Sequence, residues 1–392
     1  MQEGCRGRFT SCLRMTLETG WERLPAERLR TQDAAGRVAY RDIAAGHDFP
    51  PYNRSAVDGY AIRTHGRGTS GSEELEVGLS LSAAQVHQVV SAECIEVSTG
   101  TPLPEGFDLV VKKEDATLSG RKVLPGRHMP WENVAVRGED LRAGTVIVRA
   151  GEVLRPESIG ALLSCGVREV EAFSRIRVGV VSTGDELLEG LIENSTQPEI
   201  VSFFSSRFTE VEAIGPVRDR PSEIYEAVLG SVERNNITVV TGGSSVGEHD
   251  HSRVSVSSMG EEVFSGIGLK PGRTLSLYRV KGRPVFVISG LPGAAIVSLR
   301  PFVAFLLQAL MKSKPRVLHV DRLAGLQIGP DEAWAVPLDL AWSGQGIAMM
   351  PMHNRGTHRL SLVSRAMWTL YVDGSCSDAF LMEAGGIDRT IV

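Results

Sequence analysis

The chain has 392 residues, 42% hydrophobic and 23% charged, a balance that excludes a disordered or collagen-like protein. Single domains cluster near roughly 100 to 150 residues, so this length predicts about three domains. A formal net charge of -5 and a pI near 6.0 give no broad basic field, which argues against nucleic acid as a partner.

The sequence shows no feature of export or membrane insertion. Residues 1–15 carry arginines but lack the apolar run of a secretory signal. The most apolar stretch, residues 285–310, is interrupted by glycine and proline, so it predicts a strand, a loop and a helix and no membrane span. The five cysteines are widely spaced without a CxxC pair, which favours reduced thiols over disulfides or zinc. We therefore expect a cytoplasmic protein.

The first part of the chain combines short β-like segments with helical ones. Residues 42–136 are rich in the β-like segments. Pro156 opens a helix that ends near Gly166. We predict a β-rich domain inserted into one discontinuous helical and extended domain, made of residues 1–41 and 137–176.

The central part repeats strand, loop and helix. Its apolar strand segments are residues 178–181, 238–241 and 285–288. Strands that alternate with helices indicate crossover connections and a parallel sheet. Residues 177–313 are therefore predicted to form an α/β domain with a parallel-type sheet.

Two helices follow from the same pattern. The first begins with Ser222 as its cap and ends near Asn235. The second covers residues 294–311 and stops before Pro315, which predicts a domain boundary there.

The tail, residues 314–392, holds short apolar runs separated by glycines and polar residues. Two of these runs are residues 334–340 and 359–363. The spacing predicts a small β domain.

Each central strand ends in a loop of small residues. The loops are STGDEL at 182–187, TGGSSVGEHD at 241–250 and SGLPG at 289–293. In an open parallel sheet, ligands sit beyond the carboxyl ends of the strands, where glycine lets backbone N–H groups approach a phosphate. One such loop alone is more typical of a tight turn, but three together favour a pocket for a phosphorylated small molecule.

Acidic residues flank these loops. Asp185 and Glu186 stand where a helix begins and can complement its dipole. Asp250 closes the second loop, and carboxylates beside a phosphate repel it unless a divalent cation lies between them. Magnesium held by Glu186 and Asp250 is the implied cofactor. Lys270 could add positive charge, although isolated lysines are usually solvated, and His251 is interpreted as a loop residue.

Two upstream turns carry further candidates. PPYNRSAVDGYAIR at 50–63 includes Asp58, and STGTPLPEGFDLVVKKEDA at 98–116 adds a second turn of small residues. Asp140, in RGEDLRAG, has two open interpretations, an Asx-turn or a functional acid.

The order and spacing of these motifs resemble the molybdopterin molybdenumtransferase family, the MoeA proteins and the E domain of gephyrin. The resemblance extends from about residue 22 into the tail. Its motifs are PPYNRSAVDGYAIR, STGTPLPEGFDLVVKKEDA, VRGEDLRAGTVIVRAGEVLRPESIGALLSCGV, VGVVSTGDELLEG, VVTGGSSVGEHD, GLKPGR and ISGLPG.

The resemblance implies an α/β multidomain fold in four parts. These are the discontinuous domain, the inserted β-rich domain, a MogA-like molybdopterin-binding α/β domain and a C-terminal β-barrel. It also implies a homodimer, in which the inserted domain of one subunit brings Asp58 and Thr99 to Glu186 and Asp250 of the other.

The resemblance also implies a reaction. The family inserts molybdenum from molybdate into adenylylated molybdopterin and releases AMP in a magnesium-dependent step, and molybdoenzymes or chaperones would accept the product. Asp58, Glu186 and Asp250 match its catalytic acids. The matched ligand-binding positions are Thr99, Gly100, Asp140, Ser182, Thr183, Gly184, Asp185, Gly242, Gly243, Ser244, Ser245, Lys270, Pro271, Pro292, Gly293 and Ser361.

Several positions depart from the family pattern, and all lie in the α/β domain. Arg220 stands where an acid is expected, and Gly266 replaces a basic residue. Ala294 and Ala295 replace Asn-Pro, and residues 194–196 replace an acidic string. These changes favour the alternative of a non-catalytic molybdopterin-binding or scaffold protein. A nucleotide pyrophosphatase built on the same α/β domain is a third interpretation, which leaves the upstream motifs unexplained.

Overall fold

The computed structural model describes residues 8–81, 92–242, 251–320, 328–329, 332–343, 346–351, 360–374 and 379–391. The chain forms two compact units. The first contains Met1–Asp42, Val148–Pro156 and Val170–Val392, and the second contains Ile43–Ile147 and Glu157–Glu169. The predicted division into four domains stays a prediction.

In the described residues the helices are α1 Arg8–Glu18, α2 Pro156–Ser164, α3 Asp185–Leu188, α4 Thr196–Phe204, α5 Pro221–Arg234, α6 His251–Ser257, α7 Pro292–Met311 and α8 Leu360–Val363. The strands before residue 150 are β1 Ala26–Arg30, β2 Ile43–Ala44, β3 Arg54–Ser55, β4 Gly59–Ile62, β5 Thr69–Ser70, β6 Leu75–Leu81, β7 Cys94–Val97, β8 Leu109–Lys112, β9 Thr117–Ser119, β10 Lys122–Leu124, β11 Arg127–His128, β12 Val134–Ala135 and β13 Val146–Val148. The later strands are β14 Glu169–Phe173, β15 Ile176–Thr183, β16 Thr209–Val217, β17 Ile237–Thr241, β18 Glu261–Ser265, β19 Leu269–Lys270, β20 Ser276–Val280, β21 Arg283–Ile288, β22 Leu318–Val320, β23 Ala333–Ser343, β24 Gly346–Pro351, β25 Trp368–Asp373 and β26 Ala379–Glu383.

The first unit is built on a mixed sheet in the order β16-β15-β17-β21-β20-β18. The first four strands are parallel, as the sequence predicts, and β20 and β18 continue the sheet in antiparallel pairing. The register places Ser182 beside Thr241 and Thr241 beside Ile288. The carboxyl ends of the three predicted strands therefore lie at one edge of the sheet.

Helices cover both faces of this sheet. On one face, α1, α4 and α7 share a large apolar core in which the rings of Phe9 and Phe302 are 5.8 Å apart. Helix α7 is long and apolar enough to cross a membrane by length and composition, but 89% of its most apolar window is buried inside the protein. A helix that is apolar all round and enclosed in this way is a core helix.

The opposite face is covered by α5 and α6, with Ile224, Val228 and Val232 buried against the sheet. The prediction that Ser222 caps α5 was wrong. Arg220 is the N-cap and Pro221 takes the first helical position, where its missing N–H costs nothing and its fixed φ suits the helix.

The second unit contains the segment predicted to be rich in short strands. Its largest sheet has the order β8-β4-β7-β6-β10-β9. Most of helix α2 also belongs to it; the helix ends at Ser164, and Gly166, with a φ of +78°, follows two residues later. The sequence therefore located this helix correctly.

The tail is largely a β-sheet with the order β19-β23-β25-β26-β22, and β24 pairs with β23. One of its predicted β-like runs, residues 359–363, forms the short helix α8 instead. The closed barrel stays a prediction. Because β19 pairs with β23, Lys270 is held by the tail sheet.

The turn after β19 approaches α7 closely at Gly272. Its φ is +99°, and a Cβ there would lie 2.3 Å from the Cβ of Ser298. Gly190 also has a positive φ, +69°, but no atom lies within 4 Å of its would-be Cβ. We expect Gly272→Ala to cost on the order of 2–4 kcal/mol and Gly190→Ala about 1 kcal/mol.

Thermal unfolding of both variants checks this expectation. Gly272→Ala should unfold several degrees below Gly190→Ala. Equal unfolding temperatures would show that the turn does not need this close approach.

Candidate functional site

The carboxyl ends of β15, β17 and β21 are in direct backbone contact. Gly242 has a φ of +103°, and a Cβ there would stand 2.4 Å from the carbonyl oxygen of Thr183. A Cβ on Gly290 would lie 3.6 Å from the Cα of Gly242. The three predicted loops therefore start from one point, where glycine leaves backbone groups uncovered. Their role in ligand binding stays a prediction.

The predicted side chains at the end of β15 are engaged within the fold. Ser182 and Thr183 are buried. The Asn194 amide donates to Ser182 Oγ at 3.2 Å, and Thr183 Oγ1 shares a hydrogen bond of 3.2 Å with Ser252 Oγ. A ligand at this edge would therefore meet backbone groups more readily than these hydroxyls.

The third loop leads directly into α7. Leu291 is the N-cap and Pro292 the first helical residue, followed by Gly293. Ser289 Oγ accepts a hydrogen bond from Leu291 N at 3.1 Å, which fixes the loop. The first N–H groups of a helix are available to an anion, so this end can face a phosphate.

Three acids gather near the end of β15. Gly184, with a φ of +146°, caps α3, and the Glu186 carboxylate folds back to within 3 Å of its would-be Cβ. Asp219 N donates to Asp185 Oδ1 at 3.4 Å. Burial is the main cause that raises the pKa of Asp219, the charges of Glu186 and Asp185 add to the rise, and His251 opposes it.

Asp219 and His251 are site residues that the sequence analysis did not select. Asp219 follows β16, which is parallel to β15, so it too stands at the carboxyl end of a strand. Its Oδ1 is buried and has no hydrogen-bond partner among the described residues. The sequence does show an acid, Asp219, just before the helix that starts at Pro221. Strand β16, which precedes it, has too few consecutive apolar residues to be predicted from the sequence.

Four predicted site residues lie outside the described residues: Gly243, Ser244 and Ser245, predicted to bind the ligand, and Asp250, predicted to bind the metal. Among the residues that are described, no group of three or more His, Cys, Asp or Glu side chains is placed to hold a metal ion. The magnesium site therefore stays a prediction.

Lys270 is paired with the tail. Its ammonium forms an ion pair with Glu332 and lies 5.2 Å from the centre of the Trp334 ring. The hydrogen bonds from Lys270 and Trp334 lower the pKa of Glu332. The following Pro271-Gly272 turn packs on the first turn of α7, because a Cβ on Gly272 would lie 3.0 Å from Ala294 O. A phosphate would have to compete with Glu332 for this lysine.

The Arg8 side chain lies beside Gly266, where the sequence analysis expected a basic residue. Gly266 has a φ of +69°, and its carbonyl oxygen accepts a hydrogen bond of 2.7 Å from Arg8 Nε. Arg8 also donates to the carbonyl of Ser265. The guanidinium from α1 thus places positive charge beside Gly266, although the family's basic side chain is absent there.

The other departures have structural roles. Thr196 Oγ1 donates to Gly290 O at 2.5 Å, so the segment that departs at 194–196 joins α4 to the third loop. Ala294 and Ala295 are buried, and Arg220 lies on the surface 3.4 Å from Glu223.

In the second unit the two predicted upstream turns meet. Asp58 Oδ1 accepts hydrogen bonds from Thr99 N at 2.6 Å and Thr99 Oγ1 at 3.0 Å, while Gly100 N donates to Ser55 O at 2.8 Å. The backbone hydrogen bond from Thr99, then its hydroxyl and the charge of Lys113, lower the pKa of Asp58. Asp58 is therefore held as a carboxylate.

The two remaining candidates are exposed. The Asp140 N–H donates to Phe49 O at 3.3 Å, and its side chain lies on the surface of the second unit. Ser361 lies on α8, and its carbonyl accepts a hydrogen bond of 3.3 Å from Ser364. Neither observation assigns these residues a ligand.

Two family models match the chain. Residues 10–166 match the "MoeA N-terminal region (domain I and II)", and residues 179–309 match the "Probable molybdopterin binding domain". Together they cover both the upstream turns and the strand-end loops. The chain belongs to the MoeA family.

Curated relatives and solved structures agree with this membership. A molybdopterin molybdenumtransferase from Haemophilus influenzae is 29% identical over 314 residues, which is 75% of this chain and 76% of the relative. One from Staphylococcus aureus is 28% identical over 315 residues, covering 76% and 72%. The molybdopterin biosynthesis MoeA protein from Pyrococcus horikoshii has the same fold, with a TM-score of 0.77, 23% identity and coverage of 96% of this chain and 99% of that one.

The acid cluster of this MoeA-family chain predicts a pH effect. Because the folded-state pKa of Asp219 is raised, its contribution to stability is full below the unfolded-state pKa and is lost as the pH rises through the folded-state value. We therefore expect Asp219→Asn to gain stability relative to wild type between about pH 4 and pH 7.

Glu212 on β16 gives the matched contrast. Hydrogen bonds from Asn235 and Arg234 lower its pKa, so the stability that this carboxylate contributes is present above the unfolded-state pKa of 4.5 and is lost as the pH falls through the lower folded-state value. Glu212→Gln should therefore be less stable than wild type above about pH 4.5, and this difference should shrink at lower pH. Urea unfolding at several pH values measures both differences. A difference for Asp219→Asn that does not change with pH would contradict the burial of this carboxyl.

Proposed function

We propose that this chain is a cytoplasmic molybdopterin molybdenumtransferase of molybdenum cofactor biosynthesis. It would insert molybdenum from molybdate into adenylylated molybdopterin and release AMP. The observation that carries the proposal is the contact of the three strand ends at Thr183, Gly242 and Gly290, with an acid cluster beside them. The names of the curated relatives support the same activity.

The chemistry of this reaction suits the residues at the edge of the sheet. Cleaving a phosphoanhydride needs positioned phosphates, an oriented water and little covalent participation by the protein. The N-terminus of α7 and the glycine backbone would hold the pterin phosphate. Glu186 would orient a water, since its carboxylate folds back over Gly184 at the start of the first loop.

Magnesium fits the donors at this edge. Asp219 Oδ1 is buried without a partner among the described residues, and burial, followed by the charges of Glu186 and Asp185, raises its pKa, so a cation beside these three acids would relieve their repulsion. Glu186 and Asp250 would hold the ion through carboxylate oxygens, which magnesium prefers. When bound, it would neutralise charge on the phosphate oxygens.

A non-catalytic molybdopterin-binding or scaffold role remains the second candidate. The observation that favours it is the ion pair between Lys270 and Glu332. Lys270 is the lysine predicted to bind the phosphate, and this ion pair already engages its charge. A scaffold would bind the pterin without releasing AMP, so the assay below separates the two functions.

We also propose that the protein acts as a homodimer. Asp58 belongs to the second compact unit and Glu186 to the first. The resemblance to MoeA proteins supports a shared site, in which Asp58 of one subunit serves the strand-end loops of the other. Molybdoenzymes or chaperones would then receive the finished cofactor.

Substitution of the acids tests the activity. With adenylylated molybdopterin, magnesium and molybdate, wild type should release AMP and incorporate molybdenum. Glu186→Gln and Asp250→Asn should each lower AMP release by about a hundredfold or more, because water and ion positioning are lost. Glu189→Gln, an exposed acid on the same segment, is the control and should match wild type.

Two outcomes of this assay would contradict the proposal. Wild-type rates in both acid variants, with unchanged circular dichroism, would exclude the site. Saturable pterin binding by wild type without AMP release at any magnesium or molybdate concentration would establish the scaffold function.

Complementation tests the shared site. Asp58→Asn and Glu186→Gln chains are unfolded together in equal amounts and refolded, so that half of the dimers are mixed. A mixed dimer has one site with both substitutions and one intact site, so about a quarter of wild-type activity should return. No recovery, with mixed dimers demonstrated by a tag on one chain, would show that Asp58 does not serve the other subunit.

A further inference from the structure

A cavity of about 520 Å³ lies between α4, α7 and the tail within the first unit. Its wall includes the apolar side chains of Phe203, Ile296 and Val363, the backbone of Gly386, and the charged side chains of Glu199 and Arg300. Its volume is in the range of small-molecule sites. Its lining residues are distinct from every residue assigned above to the strand-end site, so it is independent of the proposed function.

Arg300 is a buried cation on α7. It is only 4% exposed, its Nη1 is 3.5 Å from Thr369 Oγ1, and its Nε has no hydrogen-bond partner in the part of the chain that the structure describes. A buried guanidinium N–H without a partner costs free energy, because it has lost its water without replacement. This donor lies on a residue that lines the cavity.

Glu199 on α4 provides the complementary group. Its Oε2 is buried, and none of the described residues forms a hydrogen bond with it. Burial raises the pKa of Glu199 to about 7, while the charge of Arg300 opposes the rise. Each of these two lining residues therefore has one buried polar atom that no described residue satisfies.

The charges decide what kind of molecule fits. An anion would satisfy Arg300 but would face the Glu199 carboxylate, and a cation would meet the reverse conflict. An uncharged molecule with an acceptor next to a donor satisfies both groups. Phe203, Ile296 and Val363 give its body an apolar surface.

We propose that this cavity is a second ligand site, which binds an uncharged planar heterocycle whose edge presents an acceptor to Arg300 and a donor to Glu199. Pterins, purines and pyrimidines have such edges. Ile296 is one helical turn, about 6 Å, along α7 from Pro292, so the site lies next to the strand-end loops. Thr196, at the start of α4, holds the same end of the cavity to Gly290.

The test uses the full chain and two probes of similar shape. Pterin carries the acceptor and donor edge, and quinoxaline is a flat bicycle without a donor. Ligand-observed NMR and calorimetry should show saturable binding of pterin and at least tenfold weaker binding of quinoxaline. Saturable binding of neither probe up to about 1 mM would overturn the proposal and leave a cavity that holds only water.

Variants assign the binding to the cavity. Glu199→Gln preserves shape and should weaken pterin binding about five- to tenfold, and Arg300→Gln should weaken it further. Circular dichroism and unfolding temperature show whether Arg300→Gln is folded, and Glu199→Gln keeps the test valid if it is not. Glu186→Gln is the control at the strand-end site. Binding that is lost in Glu186→Gln and retained in Glu199→Gln would overturn the proposal, because the pterin would then occupy the strand-end site.

Discussion

The close approach of the strand ends is the constraint on which the rest of the site depends. A Cβ on Gly242 would stand 2.4 Å from Thr183 O, a distance that no side chain tolerates. Glycine there lets β15 and β17 keep parallel pairing to their last residues, and the loops then begin side by side. The same contact leaves the backbone uncovered at this edge.

The acidic and basic side chains considered for the site have different surroundings. Asp185, Glu186 and Asp219 lie at the strand ends, whereas Lys270 is paired with Glu332 and Arg8 donates to the backbone at Gly266. Because these acids lie together while Lys270 and Arg8 have partners of their own, the strand ends attract a cation more readily than an anion. A magnesium-dependent phosphate reaction agrees with this order, because the ion would convert an acidic edge into one that accepts phosphates.

The sequence correctly predicted the elements that depend on a local pattern of apolar residues and glycines. Strands β15, β17 and β21 are continuous apolar segments bounded by glycine, so their positions and the meeting of their loops could be inferred. Edge strand β16 has a mixed, half-exposed pattern and escaped detection, and Asp219 was missed with it. The cap of α5 was misplaced because Ser222 is a good capping residue, but Pro221 takes the first helical position, so the N-cap is Arg220, two residues earlier.

Contacts between residues far apart in the chain could not be predicted from the local sequence pattern. Lys270 meets Glu332 62 residues later, and Arg8 meets Gly266 258 residues later. The cavity between α4, α7 and the tail likewise depends on how three distant segments pack. The motif order did identify the family, because each motif retains its own local requirement for glycine, proline or an acid.

A crystal structure of the protein with molybdopterin bound would test the central claim most directly, since the claim concerns where the pterin phosphate lies. The account predicts that the phosphate accepts hydrogen bonds from backbone N–H groups of the loops after β15, β17 and β21, with Glu186 on the same side. Molybdopterin bound with its phosphate away from all three loops, while the protein still releases AMP from the adenylylated form, would contradict it.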